Sequence, residues 1–227
     1  MVYAKDKGLA PYDFGIIRVS LISNKSITKV MPVLTQEEKK AQFEEFFKIA
    51  HPLNVNVLPL ATNSPCDFAE FEAQMPYAFK LAGQFSGIDN GLLRSLKLAS
   101  QDSEALVAFL EAQSQKIDWM LSYILEQQDD PEYRFTTVNF GGGGMVIEHN
   151  TPFEIGTLAE LKLFVPSEHS AVYTHGEVIT CEAKEDRYHI GFLFSHIRES
   201  DQELLVKATL HLQTLQLRAR HKVNANE

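Results

Sequence analysis

The stretch TTVNFGGGGMVIEH, Thr136–His149, places four consecutive glycines, Gly141–Gly144, between two short runs of strand character. A glycine inside a regular element costs roughly 0.5–1 kcal/mol relative to alanine. Four in a row need a physical cause. Either the turn requires positive φ values, or another group comes so close to the backbone that no Cβ fits. The flanking residues alternate as strands do, so the loop joins two adjacent strands.

Downstream of the loop the apolar pattern keeps a period of about 2. LAELKLFV, AVYTHGEVITCE and RYHIGFLFSHI join YRFTTVNF and MVIEH as strands with short connections. The last runs into a helix that opens at Ser200, with Glu203 as its capping-box partner and Leu205, Ala208, Leu212 and Leu215 on one face. The fold class that follows is α+β, a small antiparallel β-barrel with a C-terminal helix. Few residues separate Pro131 from the glycine loop. One strand is therefore expected from the N-terminal region, with GIIRVSLIS (Gly15–Ser23) as the candidate.

Upstream of the loop the period changes to about 3.6. Leu96, Ala99, Ser103, Leu106, Leu110, Gln113, Ile117, Met120, Ile124 and Gln127 follow steps of three and four, the a/d pattern of a coiled coil. Val107, Leu121 and Leu125 widen the stripe, and the helix ends at Asp129–Pro131, because proline cannot continue it. A long helix packed on its own domain and an assembly helix both fit the pattern. The polar Gln113 in the seam favours assembly, since one polar residue there fixes register and oligomer state. The oligomerising residues are then Leu96, Leu106, Leu110, Gln113, Ile117, Met120 and Ile124, and the wide stripe suits a trimer or tetramer better than a dimer. Before this helix the chain is mixed. NVNVLPL (Asn54–Leu60) alternates like a strand, and TQEEKKAQFEEFFKIA reads as a helix with Thr35 as N-cap and Glu38 completing a capping box. The expected organisation is a mixed α/β region over 1–90, a heptad helix over 91–130 and the barrel with its C-terminal helix over 131–227.

The chain has 227 residues, 44% hydrophobic and 22% charged, and a formal net charge of −9. That charge argues against a nucleic acid polymer or an anionic membrane surface as partner. A small anionic ligand is still allowed, since it needs only a few local cations. Cys66 and Cys181 form no CxxC pair and no Cys/His metal spacing, as expected of reduced thiols in a cytoplasmic chain. The first residues lack the apolar run of a signal peptide, and no stretch approaches the roughly 18 apolar residues of a membrane span.

The order of motifs in the last hundred residues resembles the PilZ domain of bacterial cyclic-di-GMP signalling. Asn139-Phe-Gly141-Gly-Gly-Gly144 stands where that family has its Asp/Asn-x-Ser-x-x-Gly loop. GTLAELKLFVP (Gly156–Pro166), HGEVIT (His175–Thr180) and YHIGFLFSHIRESDQELL (Tyr188–Leu205) follow in the family's order. The resemblance implies a loop that binds guanine and phosphates of cyclic-di-GMP, together with an Arg-x-x-x-Arg motif on a flexible segment upstream. Two arginine forks pair bidentately with phosphates and stack on guanine. This chain departs twice. Gly141 replaces the serine, and no Arg-x-x-x-Arg occurs anywhere. Arg134 is the arginine nearest the loop, which leaves Arg134, Asn139, Gly141 and Gly144 as a degenerate cyclic-di-GMP site. Gly144 matches the glycine that ends the family motif and is the expected position of a positive φ.

The histidine pairs His169/His175 and His189/His196 lack a strong third ligand nearby in sequence, so no metal site is expected. Neither a P-loop nor a Gly-x-Ser-x-Gly elbow is present. No catalytic set and no cofactor emerge. The reading is an atypical, oligomeric PilZ adaptor that acts through an unknown protein partner, with cyclic-di-GMP binding weak or lost. Two alternatives stand beside it: a genuine receptor using substitute cations, from the N-terminal region such as Arg18 or Arg94 or from a neighbouring subunit, and an unrelated barrel that serves as an interaction domain.

Overall fold

In a strand, successive side chains point to opposite faces, so segments with an apolar face pair around a common interior. The computed structural model describes residues 34–61, 66–85 and 104–224. Its strands are β1 (Ile49–Ala50), β2 (Asn54–Pro59), β3 (Arg134–Phe140), β4 (Gly144–His149), β5 (Leu158–Val165), β6 (Ser170–Lys184) and β7 (Arg187–His196). Antiparallel pairing runs β3–β2–β5–β6–β7–β4 and returns from β4 to β3. Six strands therefore close a barrel, and β1 extends it by a short pairing with the end of β3. Closure removes the unpaired edges of an open sheet.

The strand that completes the barrel is the stretch NVNVLPL, not GIIRVSLIS, which lies outside the described residues. Val55 faces Phe135 on one side and Leu163 on the other. Two polar clamps fix this strand. Where the β3–β4 register shifts between Thr137 and Asn139, the Thr137 hydroxyl donates to the His51 carbonyl and accepts from the Leu53 N–H, both at 2.8 Å. Further along, the buried Asn56 side chain donates to Asp129 Oδ1 and the Asp130 carbonyl, and accepts from the Asp130 N–H at 2.8 Å.

The helices are α1 (Gln36–Glu45), α2 (Phe68–Gln74), α3 (Tyr77–Phe85), α4 (Glu104–Glu126) and α5 (Glu199–Asn224). The Thr35–Glu38 capping box at α1 is present. Helix α5 begins at Glu199 rather than Ser200, and its first turn is held by the Arg198 guanidinium, which donates to both oxygens of Asp201 and to the Phe79 carbonyl. The interior of the barrel is filled by Val55, Val57, Phe140, Met145, Ile147, Leu161, Leu163, Ile190 and Phe192, with Leu205, Ala208 and Leu212 of α5 packed against them. Strand alternation sends Phe164, Ala171 and Tyr173 outward. There they meet Phe71 and Met75 at the end of α2, Phe79 of α3, and Leu121 and Leu125 of α4. Each of the large apolar side chains buried in this second layer contributes about 1.5–3 kcal/mol of transfer free energy. No described helix is long and apolar enough to cross a membrane.

Candidate functional site

The glycine loop is a tight β3–β4 connection in which the Gly141 N–H donates to the Gly144 carbonyl at 2.9 Å. None of the four glycines has a positive φ. Among the described residues the glycine that does is Gly156, at 89°. This corrects the expectation for Gly144, and the cause of the glycines is close approach. A Cβ on Gly141 would run into the Phe47 carbonyl, and one on Gly143 into the Phe46 ring. On Gly144 it would strike the Phe192 carbonyl and stand 2.8 Å from the Phe43 ring; on Gly142 it would stand 2.7 Å from Val206 Cγ2.

Apart from the Phe192 carbonyl of β7 and Val206 of α5, the groups pressing on the loop belong to the end of α1 and the three residues after it. Phe43 packs with Ile179 and Leu193, with Phe46 and Val146 against them. Lys48 Nζ stands 3.6 Å over the Phe43 ring and donates to the Phe43 carbonyl. Burial lowers the Lys48 ammonium below its ordinary pKa, an effect the nearby Glu44 opposes. Helix α1 itself is tied to β6 by Lys39, whose Nζ lies 2.6 Å from Glu177 Oε2. The loop is thus roofed by the protein's own chain, with all four glycines buried.

The structure does not bring the four sequence-derived ligand residues together. Gly141 and Gly144 sit under the roof. Asn139 is next to them, paired with Ala50 and Val146, and its Oδ1 is buried with no hydrogen-bond partner among the described residues. Arg134 starts β3, about 17 Å along the strand from Asn139 at about 3.4 Å per residue. Its guanidinium is held by both oxygens of Asp129, at 3.1 and 2.9 Å. It borders a cavity of about 230 Å³ at that end of the barrel, shared with Phe135, Thr136, Glu148, His149, Asn150 and Arg187. Arg187 is paired there with Glu148 at 3.1 Å.

Of the oligomerising residues, Leu96 lies outside the described residues. Leu106, Ile117, Met120 and Ile124 are exposed, and Leu110 and Gln113 are half-buried. Val107, Leu121 and Leu125 form the buried side. Phe109, Trp119 and Tyr123 add to the exposed face, with Met120 and Tyr123 both 66% exposed.

One constellation escaped the sequence reading. Cys66, His175 and His196 converge beside Phe71. Burial lowers both imidazoles below the ordinary histidine range; His196 adds to this at His175, while Glu160 opposes it there and Asp67 opposes it at His196. The Cys66 thiol is pushed up by burial and by Glu70 and Asp67. Neither sequence pairing anticipated this. His169 lies in a left-handed turn and contacts Ser122, while His189 pairs with Glu148 and Glu182. The one sequence signal was the hairpin register that sets His175 opposite His196.

No curated protein matches the chain. Among solved structures the chain is similar to a tetrameric PilZ domain protein from Xanthomonas campestris, self-assembled via an unusual helical bundle, at 17% identity, TM-score 0.44, over 79% of this chain and 97% of that one. It is similar to the Bacillus subtilis inhibitor of motility MotI/DgrA at 21% identity and TM-score 0.34, over 36% of this chain and 42% of that one. It is also similar to Escherichia coli YcgR in complex with c-di-GMP, at 14% identity and TM-score 0.29, over 41% of this chain and 40% of that one. The chain spans less than half the length of the latter two. The PilZ domain model matches residues 113–211, from the middle of α4 to the middle of α5. That span contains every barrel strand except β1 and β2, and over it the chain matches the PilZ domain family.

Proposed function

We propose that the protein is an atypical PilZ adaptor that works as a homo-oligomer through protein contacts, with cyclic-di-GMP binding weak or lost and no catalytic role. The observation that carries this reading is the roof over the glycine loop. The surface that the family resemblance assigns to guanine and phosphate is filled by Phe43, Phe46 and Phe47 of the same chain. The cations point the same way. No Arg-x-x-x-Arg exists, and Arg134 is both distant and already paired with Asp129. If each charged fork contributes on the order of 1.5–3 kcal/mol, losing two weakens binding by several powers of ten.

The other half of the reading rests on α4. Its inner face is used within the subunit, whereas its outer face keeps heptad spacing and stays apolar and exposed, as a face that meets further copies of itself does. Calorimetric titration of the intact chain with cyclic-di-GMP tests the ligand half. The expected affinity is weaker than about 10 μM. A submicromolar affinity, lost in Arg134→Ala or Asn139→Ala, would establish a working receptor instead.

A further inference from the structure

Cys66, His175 and His196 come from three places in the sequence and meet at one point. Cys66 directly precedes Asp67, the N-cap of α2. His175 and His196 are Cα partners across β6 and β7, at the bulge where the ladder shifts between His175 and Gly176. Directly opposed residues of an antiparallel pair carry their side chains on the same face, about 5 Å apart. The Cys66 sulfur and one nitrogen of each imidazole all lie within 4.8 Å of one another.

The closest of these separations already has coordination geometry. Cys66 Sγ and His175 Nδ1 are 3.6 Å apart. Zinc bonds of about 2.3 Å to sulfur and about 2.05 Å to nitrogen, at the tetrahedral angle, set the two donors about 3.5 Å apart. The remaining separations reach such values by side-chain shifts of about 1–1.5 Å.

The surroundings are arranged as a ligand histidine needs. With Nδ1 turned to the sulfur, the other ring nitrogen of His175 faces the Tyr173 hydroxyl at 3.4 Å. Tyr173 in turn donates to Glu160 Oε2 at 3.0 Å. A metal-bound imidazole gives its second N–H to an acceptor backed by a carboxylate, which fixes its tautomer and raises its basicity. Here Nε2–H to Tyr173 and Tyr173 O–H to Glu160 satisfy each donor in one direction. Phe71 walls the site, with its ring edge-on to His175 at 5.0 Å and 5.7 Å from His196.

We infer that Cys66, His175 and His196 bind a first-row transition ion of Zn²⁺ type through one thiolate and two neutral imidazoles, with water in a fourth position. Binding releases the thiol proton to solvent, and no electron is transferred. Calcium and magnesium are excluded by the donor set, since both take oxygen ligands. The ion would fasten the segment leading into α2 onto the barrel wall, joining the helical layer to β6 and β7.

The test uses the full chain, stripped with a chelator and reloaded with Co²⁺ as a spectroscopic stand-in. A thiolate-to-cobalt charge-transfer band is expected, saturating at one ion per chain and removed by added Zn²⁺. Cys66→Ser should abolish the band and His196→Gln weaken binding. Tyr173→Phe should cost about 10–100-fold in affinity, as the loss of an outer-shell partner does. Thiol labelling supplies a second measurement that needs no variant: Zn²⁺ should slow maleimide modification of Cys66 relative to Cys181. Absence of the band in the unmodified chain, a band that persists in Cys66→Ser, or labelling of Cys66 that ignores Zn²⁺ would each overturn the assignment.

Discussion

At Gly144 a single hydrogen stands where any other residue has a carbon, and the Phe192 carbonyl and Phe43 ring occupy the space beyond it. Gly144→Val should destabilise the chain by about 3 kcal/mol through overpacking against backbone and a buried ring. Gly142→Ser crowds Val206 Cγ2, on a side chain 45% exposed, and otherwise meets Gln202 only at ordinary contact distance, so it should cost less than Gly144→Val, about 1 kcal/mol. Urea melts of the two variants check the order, and equal losses would mean the roof gives way as readily as Val206 does. The run of glycines signalled a constraint but not its kind. A turn with positive φ can be read from local sequence. Close approach cannot, because Phe43, Phe46, Phe47 and Val206 reach the loop only through the fold.

At the scale of the element, α4 carries two stripes that the sequence merges into one. Val107, Leu121 and Leu125 belong to the subunit, while Leu106, Ile117, Met120 and Ile124 face outward. Leu110→Asp combined with Ile117→Asp should leave the fold intact and reduce the assembly to smaller species in light scattering. A monomer found for the unmodified protein would end the assembly reading. The junction after α4 makes a second prediction. Asn56→Leu removes three hydrogen bonds to Asp129 and Asp130 and should cost about 2–3 kcal/mol in a denaturant melt. The strands themselves were legible, since period-2 alternation sets burial directly, and so was the Thr35–Glu38 cap, which is local. The metal-like cluster was not, because Cys66 approaches the histidines from another layer. The choice of strand completing the barrel was equally hidden, since GIIRVSLIS and NVNVLPL alternate alike and only pairing distinguishes them.

At the scale of the whole molecule, Glu168 ties the β5–β6 corner to α5 by accepting from Lys207 at 2.9 Å and His211 at 3.0 Å. Burial pushes its carboxyl up, but the bonds from Lys207 and His211 outweigh this and hold it below its ordinary value of 4.5. A lowered carboxylate contributes stability that is complete above the unfolded-state pKa and is lost as pH falls through the folded one. Acidification below about 4.5 should therefore lower the melting temperature of the unmodified chain more than that of Glu168→Gln. Coincident pH profiles by circular dichroism would show that this corner carries no such charge dependence.

β2 lies between β3 and β5, although the entire helical layer separates it from both in sequence. During synthesis this stave leaves the ribosome first and its neighbours emerge late, so the apolar side of Val55 and Val57 has no wall to join until β5 is made. Long-range pairings of this kind slow folding and prolong exposure of strand edges. A fragment limited to residues 113–211 would leave β3 and β5 each with an open edge, shaped to accept a donated strand. A peptide spanning Asn54–Pro59 is the natural complement, which makes this barrel a candidate for splitting and reassembly from two pieces.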